Sequence, residues 1–363
     1  MKLLEYYCNR LRDFYKNTDK ENQVAAETSV VVSFIKGRNP PENVQEQHGG
    51  DKIVRIAILG AGAMGILIGG FLSSANDVTL IDVNPTVVEK IQNDGVVIQE
   101  KNGTSCKRYP NAVVDTSGMK PVDLMIVFVK AMYSEQAIET NRALIGPDTY
   151  LMTLQNGAGH EETLLKFVDE EHVVIGTTQH NSSVLSLGKV FHGGTGHTYI
   201  GGLKPYVDQL KPICDAFNAS GLEASLDTNV KRLIWSKLFT NVSASALTGV
   251  LQCQLGFIAE NTHARTMCET LIDEAVQVAE SEQMEFNAEQ ELDTVLQVCR
   301  NAPNGYTSIY ADITAGRRSE VDTISGSIVK AGHAEGVPTP VHAFLVEMVH
   351  AMEDLQQQKK TEV

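Results

Sequence analysis

From Ile53 onward the chain alternates short apolar runs with amphipathic ones. IVRIAILG (53–60) is a short apolar run, broken only by Arg55, that ends at glycine, the form of a buried parallel strand. AMGILIGGFLSSA (63–75) has helical length, DVTLIDV (77–83) reads as a second strand, and PTVVEKIQNDG (85–95) as a second helix. The apolar runs DLMIVFVK (123–130) and TYLMTLQNG (149–157) predict two more strands of the same layer. Strand and helix in alternation predict an α/β domain, doubly wound and of Rossmann type, over residues 53–228.

The pattern then changes period. Residues 230–252, 264–284 and 289–302 repeat their apolar positions at helical spacing, so residues 229–355 are expected to form an all-helical domain. In SEVDTISGSIVKAGHAEG (319–336), Ser319 is a candidate N-cap and Glu320 the first helical residue, with Gly336 and Pro338 as stops. Pro340 begins a last helix through Glu353, and 356–363 is expected to fray. Residues 1–52 stand apart. Leu3, Leu4, Tyr7, Leu11 and Phe14 have helical spacing, but Pro40-Pro41 and Gly49-Gly50 mark a linker, so this extension is expected to be flexible.

The turn between the first strand and helix is Gly60-Ala61-Gly62-Ala63-Met64-Gly65, a G-x-G-x-x-G. Flanked by strand and helix, it predicts a dinucleotide site. Gly60 permits the tight turn, Gly62 lets backbone approach a pyrophosphate, and Gly65 lets helix and strand pack closely. Asp82, at the end of the second strand, can accept hydrogen bonds from ribose hydroxyls and would repel a 2′-phosphate. No Arg or Lys lies between Asp82 and Lys90, so NADH is favoured over NADPH.

Lys130 and Asn156 end successive strands of one sheet, where ligands of open parallel sheets bind. Lys237, Asn241 and Ser245 are spaced i, i+4, i+8 on one helix face among apolar neighbours. A lysine in so apolar a segment lines a cavity, is paired, or snorkels to the surface. Ser308 and Asp312 share another face, and Arg317-Arg318-Ser319-Glu320 follows Gly316.

Composition narrows the classes. The 363 residues carry 30 Lys+Arg against 45 Asp+Glu, a net charge of −15, which disfavours nucleic acid and anionic membrane as partners. No run approaches the roughly 18 apolar residues of a membrane span, and the first residues are too charged for a secretory signal. The six cysteines are scattered without a C-x-x-C pair, so no metal site or disulfide framework is expected, and a cytoplasmic location is.

ILGAGAMG, the Lys-Ala of VFVKA, the Asn-Gly of LQNGAG, KLFTN and TSIYADITAGRRSEVDTISG follow one another over about 300 residues. In that order they resemble the ketopantoate reductase (2-dehydropantoate 2-reductase) family. The resemblance implies an oxidoreductase of pantothenate biosynthesis using NADPH or NADH. It implies Lys237 as general acid, Glu320 as holder of the substrate hydroxyl, and Asn241 and Ser308 as contacts of the substrate carboxylate. Lys130 and Asn156 would lie by the nicotinamide ribose and the reacting centre, and Gly60, Gly62 and Gly65 at the pyrophosphate. Ser245 stands where the family often has Asn, which changes the pocket. Asp82 replaces a basic residue and is similar to the NAD-dependent D-2-hydroxyacid dehydrogenases of the same fold. Ketopantoate and a branched or aromatic 2-keto acid are therefore both candidate substrates. A dinucleotide sensor without turnover is a third reading, and a homodimer fits as well as a monomer.

Overall fold

A computed structural model describes residues 54–361; the helix expected near the N-terminus lies outside them. Strands β1 (Arg55–Leu59), β2 (Asp77–Ile81), β5 (Asn111–Val113), β6 (Leu124–Val127), β7 (Tyr150–Thr153), β8 (Val173–Thr178), β11 (Thr198–Gly202) and β12 (Ala224–Leu226) form one sheet. Its order is β12-β11-β8-β7-β6-β1-β2-β5, parallel throughout except between β11 and β8. Chain order reverses across β1, which lies between β2 and β6, and a ligand cleft is expected outside the carboxyl ends at such a switch point.

The apolar runs are continuous because both faces are covered. Ile56 and Ile58 point into one core with Ile66, Leu67 and Leu80, while Ala57 and Leu59 point into a second with Ile138, Leu144 and Leu164. Successive side chains alternate faces, so one strand feeds two cores. Helix α1 (Ala63–Leu72) and helix α2 (Pro85–Asp94) cross between the first strands, as expected.

Residues 96–108 and 181–194 depart from a single doubly wound sheet. They build a second sheet in the order β4-β3-β10-β9, from β3 (Val96–Glu100), β4 (Ser105–Arg108), β9 (Asn181–Ser186) and β10 (Lys189–Gly194), packed on α1. Short helices α3 (Ser134–Thr140) and α4 (Glu161–Leu164), then α5 (Lys211–Ala219), complete this half.

After Asn229 the chain is helical: α6 (Val230–Thr240), a π-helical turn (Asn241–Ser245), α7 (Ala246–Leu251), α8 (Leu255–Glu260), α9 (Thr262–Ser281), α10 (Ala288–Asn301), α11 (Ser308–Thr314), α12 (Ser325–Glu335) and α13 (Pro340–Thr361). Helix α9 is the centre, burying Cys268, Leu271, Ile272, Ala275 and Val278. The side chains of Asn261, Asn287 and Thr307 cap α9, α10 and α11 by accepting first-turn N–H bonds.

Two expected helix ends move. Helix α12 starts at Ser325, not at Ser319, whose N–H and Oγ both donate to Glu353 Oε1, at 2.8 and 2.6 Å. Residues 321–324 form a turn instead. The last helix does not fray at residue 356 but runs to Thr361, since Lys360 Nζ donates to Ala315 O at 2.6 Å. No described helix is long and apolar enough to cross a membrane, no described cluster of His, Cys, Asp and Glu could hold a metal, and the described cysteines are free thiols.

The start of α13 is held by a buried carboxylate. Glu274 of α9 accepts from Val341 N at 2.9 Å and His342 N at 3.0 Å, two N–H groups with no partner inside their own helix. Glu274→Ala is expected to lower the unfolding free energy by about 2 kcal/mol. The check is a lower denaturant midpoint at unchanged slope.

Candidate active site

The glycine turn leaves no room for a side chain at two of its three glycines. Gly60 has φ +101°, and a Cβ on Gly65 would lie 1.9 Å from Gly60 O, so neither tolerates a side chain. A Cβ on Gly62 would meet nothing within 4 Å, which leaves open space in front of the turn. Gly62 is also the N-cap of α1 and supplies no side-chain cap. The N–H groups of the first turn, Ala63, Met64 and Gly65, therefore face that space with the positive end of the helix dipole. Asp82, just past β2, accepts from Ala61 N at 2.8 Å through Oδ2 and from Asn84 N at 2.9 Å through Oδ1. Its carboxylate is fixed beside the turn, and each oxygen keeps a lone pair for a ribose hydroxyl. The residues fit a dinucleotide.

Lys130 and Asn156 lie three residues past Val127 and Thr153, which are register partners in β6 and β7. They therefore emerge at equivalent places, slightly beyond the strands themselves. Lys130 crosses to the helical half: its Nζ donates to Asp312 Oδ2 and to Arg318 O, both at 2.6 Å. The other Asp312 oxygen accepts from Arg317 Nε at 3.0 Å. Ala131 N donates to Glu320 Oε1 at 3.1 Å. Burial pushes the Glu320 carboxyl above the usual range, against the opposing pull of the Ala131 N–H and the Lys130 and His160 charges.

The Asn156-Gly157 turn docks on the same segment. Gly157 has φ +107°, a Cβ there would lie 2.1 Å from Thr323 O, and Ala158 N donates to that oxygen at 3.1 Å. His160 Nε2 donates to Asn156 O at 2.9 Å.

Lys237 sits in the last turn of α6. Its Nζ donates to Thr178 O at the end of β8, at 2.9 Å. With no carboxylate paired to it, burial lowers its pKa to about 8. Asn241 and Ser245 open and close the π-helical turn that follows. The wider turn offsets the drift of a straight α-helix across this spacing, and such turns recur at functional sites. Asn241 is half-buried, Ser245 is buried, and Ser308 is exposed at the start of α11. The side chains of Asn156, Asn241 and Ser308 are not committed to hydrogen bonds among the described residues.

Sequence reasoning missed several partners. Asp312 was visible only as a neighbour of Ser308 at i+4. Thr178, Ala131, His160 and Thr323 carried no sequence signal, because three of them act through backbone atoms.

A Rossmann-type sheet whose glycine turn leaves room for a phosphate, followed by helices that carry a half-buried lysine, defines a nicotinamide-dinucleotide oxidoreductase. The family model "Ketopantoate reductase PanE/ApbA" matches residues 56–205 and "Ketopantoate reductase PanE/ApbA C terminal" matches 229–353; the chain belongs to this family. It is 28% identical over 299 residues to a 2-dehydropantoate 2-reductase of Halobacterium salinarum, covering 82% of this chain and 98% of that one. A 2-dehydropantoate 2-reductase of Lactococcus lactis is 29% identical over 313 residues, 84% of this chain and 100% of that one. Among solved structures, D-mandelate dehydrogenase with NADH and anilino(oxo)acetate superposes with TM-score 0.78 at 31% identity, covering 84% of this chain and 99% of that one. The 2-dehydropantoate 2-reductase of Geobacter metallireducens gives 0.77 at 25%, covering 82% and 99%.

Gly157→Ala is expected to force the 320–324 turn outward, lowering stability by about 1–3 kcal/mol and turnover with it. Thermal unfolding and the rate of cofactor oxidation read the two effects together.

Proposed function

We propose that this chain reduces the ketone of ketopantoate to (R)-pantoate, with Lys237 as general acid and NADH as the favoured hydride donor. The observation that carries this reading is Lys237: a half-buried ammonium with pKa lowered to about 8 and a carbonyl as its hydrogen-bond partner. The bound nicotinamide supplies the hydride. As charge grows on the ketone oxygen, Lys237 Nζ stabilises it and delivers the proton. Thr178 O holds the ammonium in place without neutralising it. Asn241 and Ser308 donate to the substrate carboxylate, and neutral donors there do not compete for the proton. Asn156 and Ser245 border the substrate, and Glu320 accepts from its hydroxyl. Asp82 accepts from the ribose hydroxyls, and Gly60, Gly62 and Gly65 leave room for the pyrophosphate. The free thiols and net charge of −15 suit a cytoplasmic enzyme.

A second reading, an NAD-dependent D-2-hydroxyacid dehydrogenase for branched or aromatic 2-keto acids, is supported by Asp82, by Ser245, and by the likeness to a D-mandelate dehydrogenase that binds NADH. The test is absorbance at the reduced-nicotinamide band, crossing NADH and NADPH with ketopantoate, 2-ketoisocaproate and phenylglyoxylate. Ketopantoate as the best substrate supports the first reading. Bulky 2-keto acids reduced with NADH move the protein to the second. Binding without oxidation leaves a sensor.

Lys237→Ala is expected to cost about 10²–10⁴ in kcat while the cofactor Kd holds within about threefold; wild-type turnover would remove Lys237 from the chemistry. An acid must carry its proton, so kcat/KM for reduction is expected to fall as pH rises through about 8. A profile flat to pH 10 would contradict that assignment.

A further inference from the structure

The segment 317–320 carries two groups that meet the loop after β6: the Glu320 carboxylate accepts from Ala131 N and the Arg318 carbonyl from Lys130 Nζ. What holds it lies on its far side, in α13. Glu353 is buried, at 1% exposure, and both its oxygens are fully used. Oε1 accepts from Ser319 N and Ser319 Oγ, at 2.8 and 2.6 Å. Oε2 accepts from Arg318 Nη1 at 2.9 Å and lies 3.2 Å from His350 Nδ1. Arg318 also reaches Asp354 Oδ1 at 3.1 Å, and His350 Nε2 lies 2.9 Å from Asp322 Oδ1.

The peptide between Arg318 and Ser319 is therefore gripped at both ends of its dipole. Its N–H points at the Glu353 carboxylate and its C=O at the Lys130 ammonium, 2.6 Å away. An anion at the N–H end and a cation at the C=O end both favour one orientation of the peptide plane. Rotation would take one donor from the buried carboxylate and one acceptor from Lys130. The next residue is Glu320, whose Oε1 accepts from Ala131 N. Three consecutive residues thus link α13 to the loop after β6.

We propose that Glu353 is a positioning residue of the reaction: through the Arg318–Ser319 peptide it fixes Lys130 and Glu320 in the cleft. It touches no reacting atom. This inference rests on the reductase reading above, which assigns Glu320 a substrate contact.

The experiment compares Glu353→Gln, Glu353→Asp and Val349→Ala in the full chain. Val349 is a buried apolar residue one turn earlier on α13, and its truncation lowers stability without touching the clamp. Glu353→Gln is expected to lower kcat about tenfold with the keto-acid KM within about threefold, and Glu353→Asp to recover part of that loss. Burial is the main cause that raises the Glu320 pKa, against Lys130, His160 and the Ala131 N–H, with Asp312 adding to the rise. A loosened segment admits water, so the acidic limb of the kcat/KM profile is expected to move to lower pH in Glu353→Gln and to stay put in Val349→Ala. Hydrogen exchange reads the same clamp without turnover. Residues 317–324 and 130–133 are expected to exchange faster in Glu353→Gln while β1 and β2 stay protected. Unchanged exchange at 130–133 would overturn the proposal whether or not the wild type reduces any keto acid. If the wild type turns over and Glu353→Gln matches it in kcat and pH profile, the proposal falls and the reductase reading stands.

Discussion

The Lys130 ammonium joins the sheet to the helices. It leaves the strand layer just past β6 and ends 2.6 Å from a carboxylate of α11 and from a backbone carbonyl. Taking such a pair partly out of water carries a desolvation cost that the Coulomb attraction alone offsets only in good geometry. Here both charges have further partners: Asp312 also accepts from Arg317, and Lys130 has a second acceptor. The contact therefore acts less as a source of stability than as a choice of geometry. It sets which face of α11 and which peptide of the following segment look into the cleft. The neighbouring contacts, Ala131 N on Glu320 and Ala158 N on Thr323 O, repeat that choice at two adjacent backbone positions.

The parts readable from sequence are those encoded by period and by glycine. Both cores of the sheet follow from apolar runs that fill two faces, and the phosphate turn follows from three glycines with strand before and helix after. Lys237 stood out because its neighbours are apolar. The unread parts are those in which a distant segment overrides a local cap. Ser319 has the chemistry of an N-cap and its Oγ accepts from Val321 N at 3.4 Å, but its donors are held by a carboxylate 34 residues later and the helix begins only at Ser325. The tail was expected to fray because it is polar, and one lysine contact to Ala315 O holds it helical. The second small sheet was not resolved either, since its strands are short and partly exposed and so lack strong alternation.

Lys237 shows how burial shifts an ammonium that has no carboxylate partner. A carboxylate beside it would raise its pKa and keep the proton bound. A lone carbonyl holds the ammonium in direction, and burial makes the charged form costly. The direction of the ammonium and its readiness to release a proton come from different neighbours. Thr178 O gives the first and the apolar surroundings of α6 the second.

The same separation bears on the cofactor. Asp82 would be a simple specificity residue if its only task were to meet the ribose. Its Oδ2, however, also holds Ala61 N, inside the glycine turn, and its Oδ1 holds Asn84 N ahead of α2. A 2′-phosphate would bring two negative charges against a carboxylate that cannot swing away without releasing the turn that faces the pyrophosphate. Replacing Asp82 by a small neutral residue removes the repulsion, yet it also removes a ligand of the turn. The geometry therefore ties Asp82 to the shape of the glycine turn itself. A change of cofactor at this position requires a second change, one that restores a hydrogen-bond acceptor for the Ala61 N–H.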